Sequence, residues 1–206
     1  SIRTIPTRLN IPAPRSTWAR PSPRALRSPS IPSPPALPQP KRAQGLRVTV
    51  VDKPARSVAY SIGFPIGVKR GDPDYPALLV ASSYFGQHRI SGGRLYTRMR
   101  ELRGLNYGDY SYIEYFPRGM FQFEPDPNLA RRQQIFQLWI RPVEPATAHF
   151  ALRLAMYELD NLIRNGLDEE SFERSRTFVS KYVNLLTSTK SAELGYLIDS
   201  GWYGTP

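Results

Sequence analysis

The sequence contains no cysteine and only two histidines in 206 residues. Without cysteine there can be no disulfide framework, no thiolate nucleophile and no thiolate metal site. The two histidines, His88 and His149, have sixty residues between them, and neither lies in an HxxEH or HExxH arrangement. A hydrolytic zinc site needs about three protein ligands, usually with two His one helical turn apart, so the sequence has no zinc site of its own. No Gly-x-Ser-x-Gly elbow is present, and Ser91-Gly92-Gly93 follows a predicted helix with no Lys-Ser or Lys-Thr after it, which leaves it a turn and not a phosphate cradle. No run of eighteen apolar residues could form a membrane-crossing helix. The lack of cysteine does not decide between periplasm or secretion and cytosol, because a domain with a sufficient core needs no staples.

Acidic residues are missing from residues 1–47, where nine of the 28 cations lie. The remainder holds nineteen cations against all seventeen acids, an ordinary balance, so the formal charge of +11 belongs to the N-terminal stretch. Residues 1–46 also hold 11 of the 21 prolines, with Ser and Arg between them and no period of 2 or 3.6. Such a composition cannot bury enough to order itself and reads as an extended linker. A basic arm for nucleic acid or acidic lipid is the rival reading. It finds little support, because Trp18 is the only aromatic residue there and no cation cluster is dense.

Residues 47–206 read as one α+β domain, a mostly antiparallel sheet with helices packed on one face. Arg47–Asp52 has the β-branched content of a strand, stopped by Lys53-Pro54. From Ser57 to Phe64 large residues alternate with small ones, which predicts a second strand whose small-residue face admits another layer. Asp72-Pro73 predicts a helix start, and Leu95, Met99 and Leu102 place a second helix before a left-handed cap at Gly104. Strands are expected over residues 107–116, 120–124 and 133–143. Beyond Pro145, residues Phe150, Leu152, Leu154, Met156, Leu159, Leu162 and Ile163 mark an amphipathic helix closed by Asn165-Gly166. Asp168 then caps the next helix, with Glu169 and Glu170 in its first turn and Leu167 and Phe172 as a staple, and Ser191 is the expected cap of a last one.

The segment GGRLYTRMRELRGLNYGDYSYIEYF, residues 92–116, resembles the signature of the second domain of insulinase-type (pitrilysin-family, inverzincin) zinc metallopeptidases, R-L-x-x-x-x-R-E-x-R-G-L-x-Y followed by a strand. Upstream, residues 50–86 are similar to that domain's opening. Downstream, the Asn165-Gly166-Leu167 turn into Glu169-Glu170 is similar to its paired-helix hairpin, so the resemblance spans about residues 47–206. It implies a non-zinc-binding C-terminal domain of the insulinase and mitochondrial processing peptidase type, inert alone, facing an HxxEH-bearing zinc domain in the same parent chain or another subunit. In that family the non-metal domain contributes an Arg and a Tyr seven residues apart, and Arg100 and Tyr107 have this spacing. A guanidinium fork and a phenol donor suit a peptide carbonyl and the oxyanion it becomes. Arg103, four residues from Tyr107, does not fit the spacing. The loop FGQHRISGGRL stands where many members have a Gly-Gly-Phe-Ser-Ser-Arg-Leu type of segment, which makes His88 and Arg94 the substrate-loop candidates, Arg94 as its anchor. His149, at a helix start, reads as structural. A non-catalytic scaffold or processing-complex subunit of the same superfamily is the alternative. The closing strand and helix of a full domain are missing after Gly201-Trp202-Tyr203-Gly204, so truncation at the C-terminus is expected.

Overall fold

The computed structural model describes residues 44–52, 54–87, 92–115, 126–128, 131 and 133–205. Three strands, β1 (Val58–Ile66), β2 (Asn106–Tyr112) and β3 (Gln134–Val143), form an antiparallel sheet in the order β1-β3-β2. Between β1 and β2 come helix α1 (Tyr75–Gly86) and a short π-helix (Tyr96–Glu101). Helices α2 (Ala148–Asn165), α3 (Glu169–Leu186) and α4 (Lys190–Tyr203) follow β3.

The core lies on one face of the sheet. Leu138 and Ile140 of the central strand are fully buried against Phe85 of α1, Leu95 and Met99 beside and within the π-helix, and Ala148, Ala151, Leu154 and Ala155 of α2. Small residues on α2 let that helix approach the strands closely. Gly86 does the same for α1, because a Cβ there would sit 2.7 Å from Leu95 Cδ1 and 3.3 Å from the Ser111 backbone nitrogen. Pro142 is accommodated in the central strand where the β1–β3 register slips between Val58 and Tyr60, a place where the missing N–H interrupts no regular ladder.

Several sequence expectations shift. The Arg47–Asp52 strand is not formed: Val48, Val50 and Val51 are 69%, 84% and 79% exposed and no ladder includes them, since β propensity without a neighbouring edge yields only extended chain. The β1 alternation is present, yet Ala59, Ser61 and Gly63 are exposed, and no second layer covers them among the described residues. Helix α1 begins later than Asp72-Pro73, because the Asp72 carboxylate accepts from the Lys69 backbone N–H at 2.8 Å and closes the preceding turn; Asp74 takes the N-cap position and Pro76 lies in the first turn. In α2, Phe150, Met156 and Ile163 face outward while alanines and Leu154 face in. The Asp168 cap is as read, accepting from Ser171 N–H at 2.7 Å, whereas α4 is capped by Thr189 and not Ser191. The expected strand at 120–124 lies outside the described residues.

Candidate functional site

The helix expected around Leu95, Met99 and Leu102 forms with one wide turn. The Leu102 N–H reaches back five residues to Thr97 O at 3.1 Å, which rotates Leu102 off the buried face to 62% exposure while Leu95 and Met99 stay fully buried. Gly104, at φ +58°, then reverses the chain, with its N–H on Arg100 O at 2.8 Å and that of Leu105 on Met99 O at 3.0 Å. The buried Met99 fixes the helix from below, and the glycine turn sends β2 back past it. These two constraints bring Arg100 and Tyr107 together.

The Arg100 guanidinium lies 4.5 Å over the Tyr107 ring and 5.0 Å over the Tyr96 ring, and its Nη1 donates to the Tyr107 carbonyl at 3.2 Å. Each cation–π contact at such an open position contributes about 0.5–1 kcal/mol. Together they hold the fork in one orientation. Tyr107 is 68% exposed, so its phenol stands in solvent beside the cation. Tyr96, which the sequence reading passed over, is the other wall of this slot; its signal was the spacing of four from Arg100. Arg103 does not join the group, because its Nη1 donates to Arg98 O at 2.8 Å.

Behind the pair, one buried carboxylate ties the helix to the scaffold. Glu158 of α2, 1% exposed, accepts from Arg94 Nε at 2.7 Å and from Arg98 Nε at 2.9 Å. Partial burial alone would lower the pKa of Arg94, but the hydrogen bond and charge of Glu158 more than reverse this and raise it. Arg94 therefore anchors the start of the helix. His88 lies outside the described residues, and His149 is exposed in the first turn of α2.

A second carboxylate was not foreseen. Asp109, two residues beyond Tyr107 on β2, is 4% exposed, and neither of its oxygens has a hydrogen-bond partner of good geometry. Burial pushes its pKa up to about 6, and the neighbouring Asn106 amide and the Arg100 charge pull it back only in part. Asn106 is otherwise engaged, since its Nδ2 donates to Gly108 O at 3.0 Å. Asp109 is thus a buried carboxyl within electrostatic reach of Arg100.

Glu114, two residues beyond β2, organises a larger ion network. It accepts from Arg70 Nε at 2.8 Å and Nη2 at 3.1 Å, from Arg131 Nη1 at 3.0 Å and from the Tyr75 hydroxyl at 2.6 Å, while Arg70 Nη1 also donates to Asp199 at 2.8 Å. Burial would lower the pKa of Arg70, but Glu114 and Asp199 together hold its guanidinium firmly protonated. Among the described residues no group of three or more His, Asp or Glu side chains is placed to hold a metal ion.

Two solved structures share the fold. One, a peptidase M16 inactive domain from Pseudomonas fluorescens, is 24% identical with a TM-score of 0.52, over 73% of this chain and 32% of that one. The other, a conserved protein from Enterococcus faecalis V583, is 18% identical with a TM-score of 0.54, over 70% of this chain and 30% of that one. The chain thus spans about a third of the length of these structures. No curated protein matches the sequence. The model of one family, described as the peptidase M16 inactive domain, matches residues 16–178. That match takes in the Arg-Glu-x-Arg-Gly-Leu helix and β2, and the chain belongs to the peptidase M16 inactive-domain family.

Proposed function

We propose that residues 47–206 form the substrate-facing, non-metal half of an insulinase-type peptidase, in which Arg100 and Tyr107 grip the scissile carbonyl of a peptide held against a partner domain bearing HxxEH. The observation that supports this most is the Arg100 guanidinium stacked at 4.5 Å on a largely exposed Tyr107. One N–H of the fork is used on the Tyr107 carbonyl, and the rest can meet an incoming oxygen. The phenol adds a second donor from the adjacent strand. Two donors of this kind stabilise negative charge as it develops on a carbonyl oxygen, and because they are already oriented they need not reorganise during the reaction. A zinc ion held by the partner domain would supply the activated water. Arg94 and Arg98, fixed on Glu158, keep the π-helix in place while peptide binds. The Pro- and Arg-rich residues 1–46 serve as the tether.

The test is peptide hydrolysis by the complete assembly, with the HxxEH partner expressed alongside this chain. Arg100→Ala and Tyr107→Phe are each expected to lower kcat/KM by about 10²–10³, the usual loss for one oxyanion donor, with Arg103→Ala near wild type. The alternative, a scaffold subunit that only binds the partner, requires all three variants to retain full turnover. That outcome would replace the present reading.

A further inference from the structure

Strand β2 carries, two residues beyond Tyr107, a buried carboxyl that the proposed grip on the carbonyl does not use. We infer that Asp109 is a positioning residue for Arg100: when ionised, its carboxylate restrains the guanidinium over Tyr107 and so sets the fork that a substrate carbonyl meets. Its bearing on catalysis rests on the role proposed above for Arg100. The pairing itself is a property of this chain.

Tyr107 and Asp109 lie two positions apart on one strand, so their side chains leave the same face about 6.5 Å from each other. The Arg100 guanidinium, 4.5 Å over the Tyr107 ring, is thus about one strand repeat from Asp109. Asp109 is 4% exposed, and neither of its oxygens is open to water or has a hydrogen bond of good geometry. An ionised carboxylate in such a place is not solvated, and a nearby cation is what makes it tolerable.

Among the described residues Arg100 is the cation placed to do this. Helix α1, which packs on β2, has no charged residue; its Tyr75 donates to Glu114, and its Tyr84 lies within reach of Arg94. The one charge of β3 is Arg141, which pairs with Gly108, on the opposite face from Asp109, and stacks 4.3 Å over Trp139. In the π-helix, Arg98 is held on Glu158 at 2.9 Å, Glu101 is exposed, and Tyr96 stacks with Arg100 itself. Arg100 has only the Tyr107 carbonyl, at 3.2 Å, and two open ring contacts, so its fork is free to respond to a charge on Asp109. The electrostatics agree: burial pushes the Asp109 pKa up to about 6, and the Asn106 amide and the Arg100 charge pull against that rise. The attraction is mutual. Removing Arg100 must raise the Asp109 pKa, and neutralising Asp109 must loosen Arg100.

The test is NMR of the 206-residue chain between pH 4 and pH 8, following the Asp109 carboxyl carbon and the Arg100 Nε–H. The Arg100 signal is expected to titrate with the Asp109 midpoint and to stop doing so in Asp109→Asn. Arg100→Gln should move the Asp109 midpoint upward, whereas Arg103→Gln should leave it in place. An Asp109 midpoint unmoved by Arg100→Gln, or an Arg100 signal that does not follow Asp109, overturns the inference. Should Asp109→Asn fail to fold, the Arg100→Gln arm decides, because it leaves Asp109 intact. In the assembly with the HxxEH partner, Asp109→Asn should lower kcat/KM about tenfold at pH 8, where the wild-type carboxyl is ionised, and much less at pH 5. It should have no further effect in an Arg100→Ala background. Full activity of Asp109→Asn at pH 8 would overturn the catalytic consequence. Full activity of Arg100→Ala would instead overturn the reading of Arg100 and leave the NMR coupling standing.

Discussion

Replacing Glu114 with Gln should be among the most destabilising single changes in the chain, although it alters only one atom and one charge. The carboxylate is 1% exposed and receives four hydrogen bonds from Arg70, Arg131 and Tyr75. The side chains of Arg70 and Arg131 are 11% and 9% exposed, so neither can turn to water when its partner is lost. In the variant Arg70 keeps only Asp199 and Arg131 only the Tyr115 carbonyl, and the new amide presents donors to donors. Breaking a buried pair in this way costs about 3–5 kcal/mol. With a urea slope of about 2 kcal/mol/M the unfolding midpoint, followed by circular dichroism, should fall by roughly 1.5–2.5 M at unchanged slope. Glu173→Gln is the control, because its partner Arg176 lies at the surface and no measurable shift is expected. A Glu114→Gln midpoint within about 0.5 M of wild type would refute the view that this network is desolvated and mutually dependent.

Two further changes probe the scaffold around the slot. Asp109 has a folded pKa of about 6, above the unfolded value near 3.9, so the native state binds the extra proton and stability falls as pH rises from about 4 to 6. About two pK units correspond to roughly 3 kcal/mol. Asp109→Asn should therefore stabilise the chain by about 2–3 kcal/mol at pH 8 and leave it nearly unchanged below pH 3.5, measured by urea unfolding at both pH values. A difference independent of pH would show that Asp109 does not titrate as a buried acid. Gly86→Ala forces a Cβ against Leu95 at 2.7 Å, and an overpacking loss of about 1–3 kcal/mol is expected by the same assay. Stability equal to wild type would mean that α1 can move away from the sheet at no cost.

The parts of the fold legible in the sequence are those where local chemistry and tertiary packing agree. The β1 alternation from Val58, the Asp168 cap, the Gly166 stop and the Gly104 reversal each follow from a residue type with one good conformational solution. The Arg47–Asp52 strand failed because propensity supplies an extended backbone but not a partner edge. Leu102 failed because a five-residue hydrogen bond, unannounced by any side chain, rotated the end of the helix. In α2 the period was right and the expected face held in part: Leu154, Leu159 and Leu162 face the core, while Phe150, Met156 and Ile163 do not. Close approach of the sheet selects Ala151 and Ala155 over the larger Phe150 and Met156, which a hydrophobicity count ranks higher. That Arg100 and Tyr107 lie together was expected from the family resemblance and from the Gly104 turn between them, and the structure places the two side chains in contact. Glu158 and Asp109 were not legible, because their importance lies in desolvation and in partners sixty or more residues away for Glu158, and in the absence of partners for Asp109.

The proposed role requires Arg100 and Tyr107 to act on the same oxygen, and a double-mutant cycle on peptide hydrolysis by this chain assembled with its HxxEH partner tests this most directly. Two donors to one developing charge should be coupled, so Arg100→Ala with Tyr107→Phe is expected to lose much less in kcat/KM than the product of the single losses. Losses that multiply as independent factors, or a double variant as active as wild type, would contradict it.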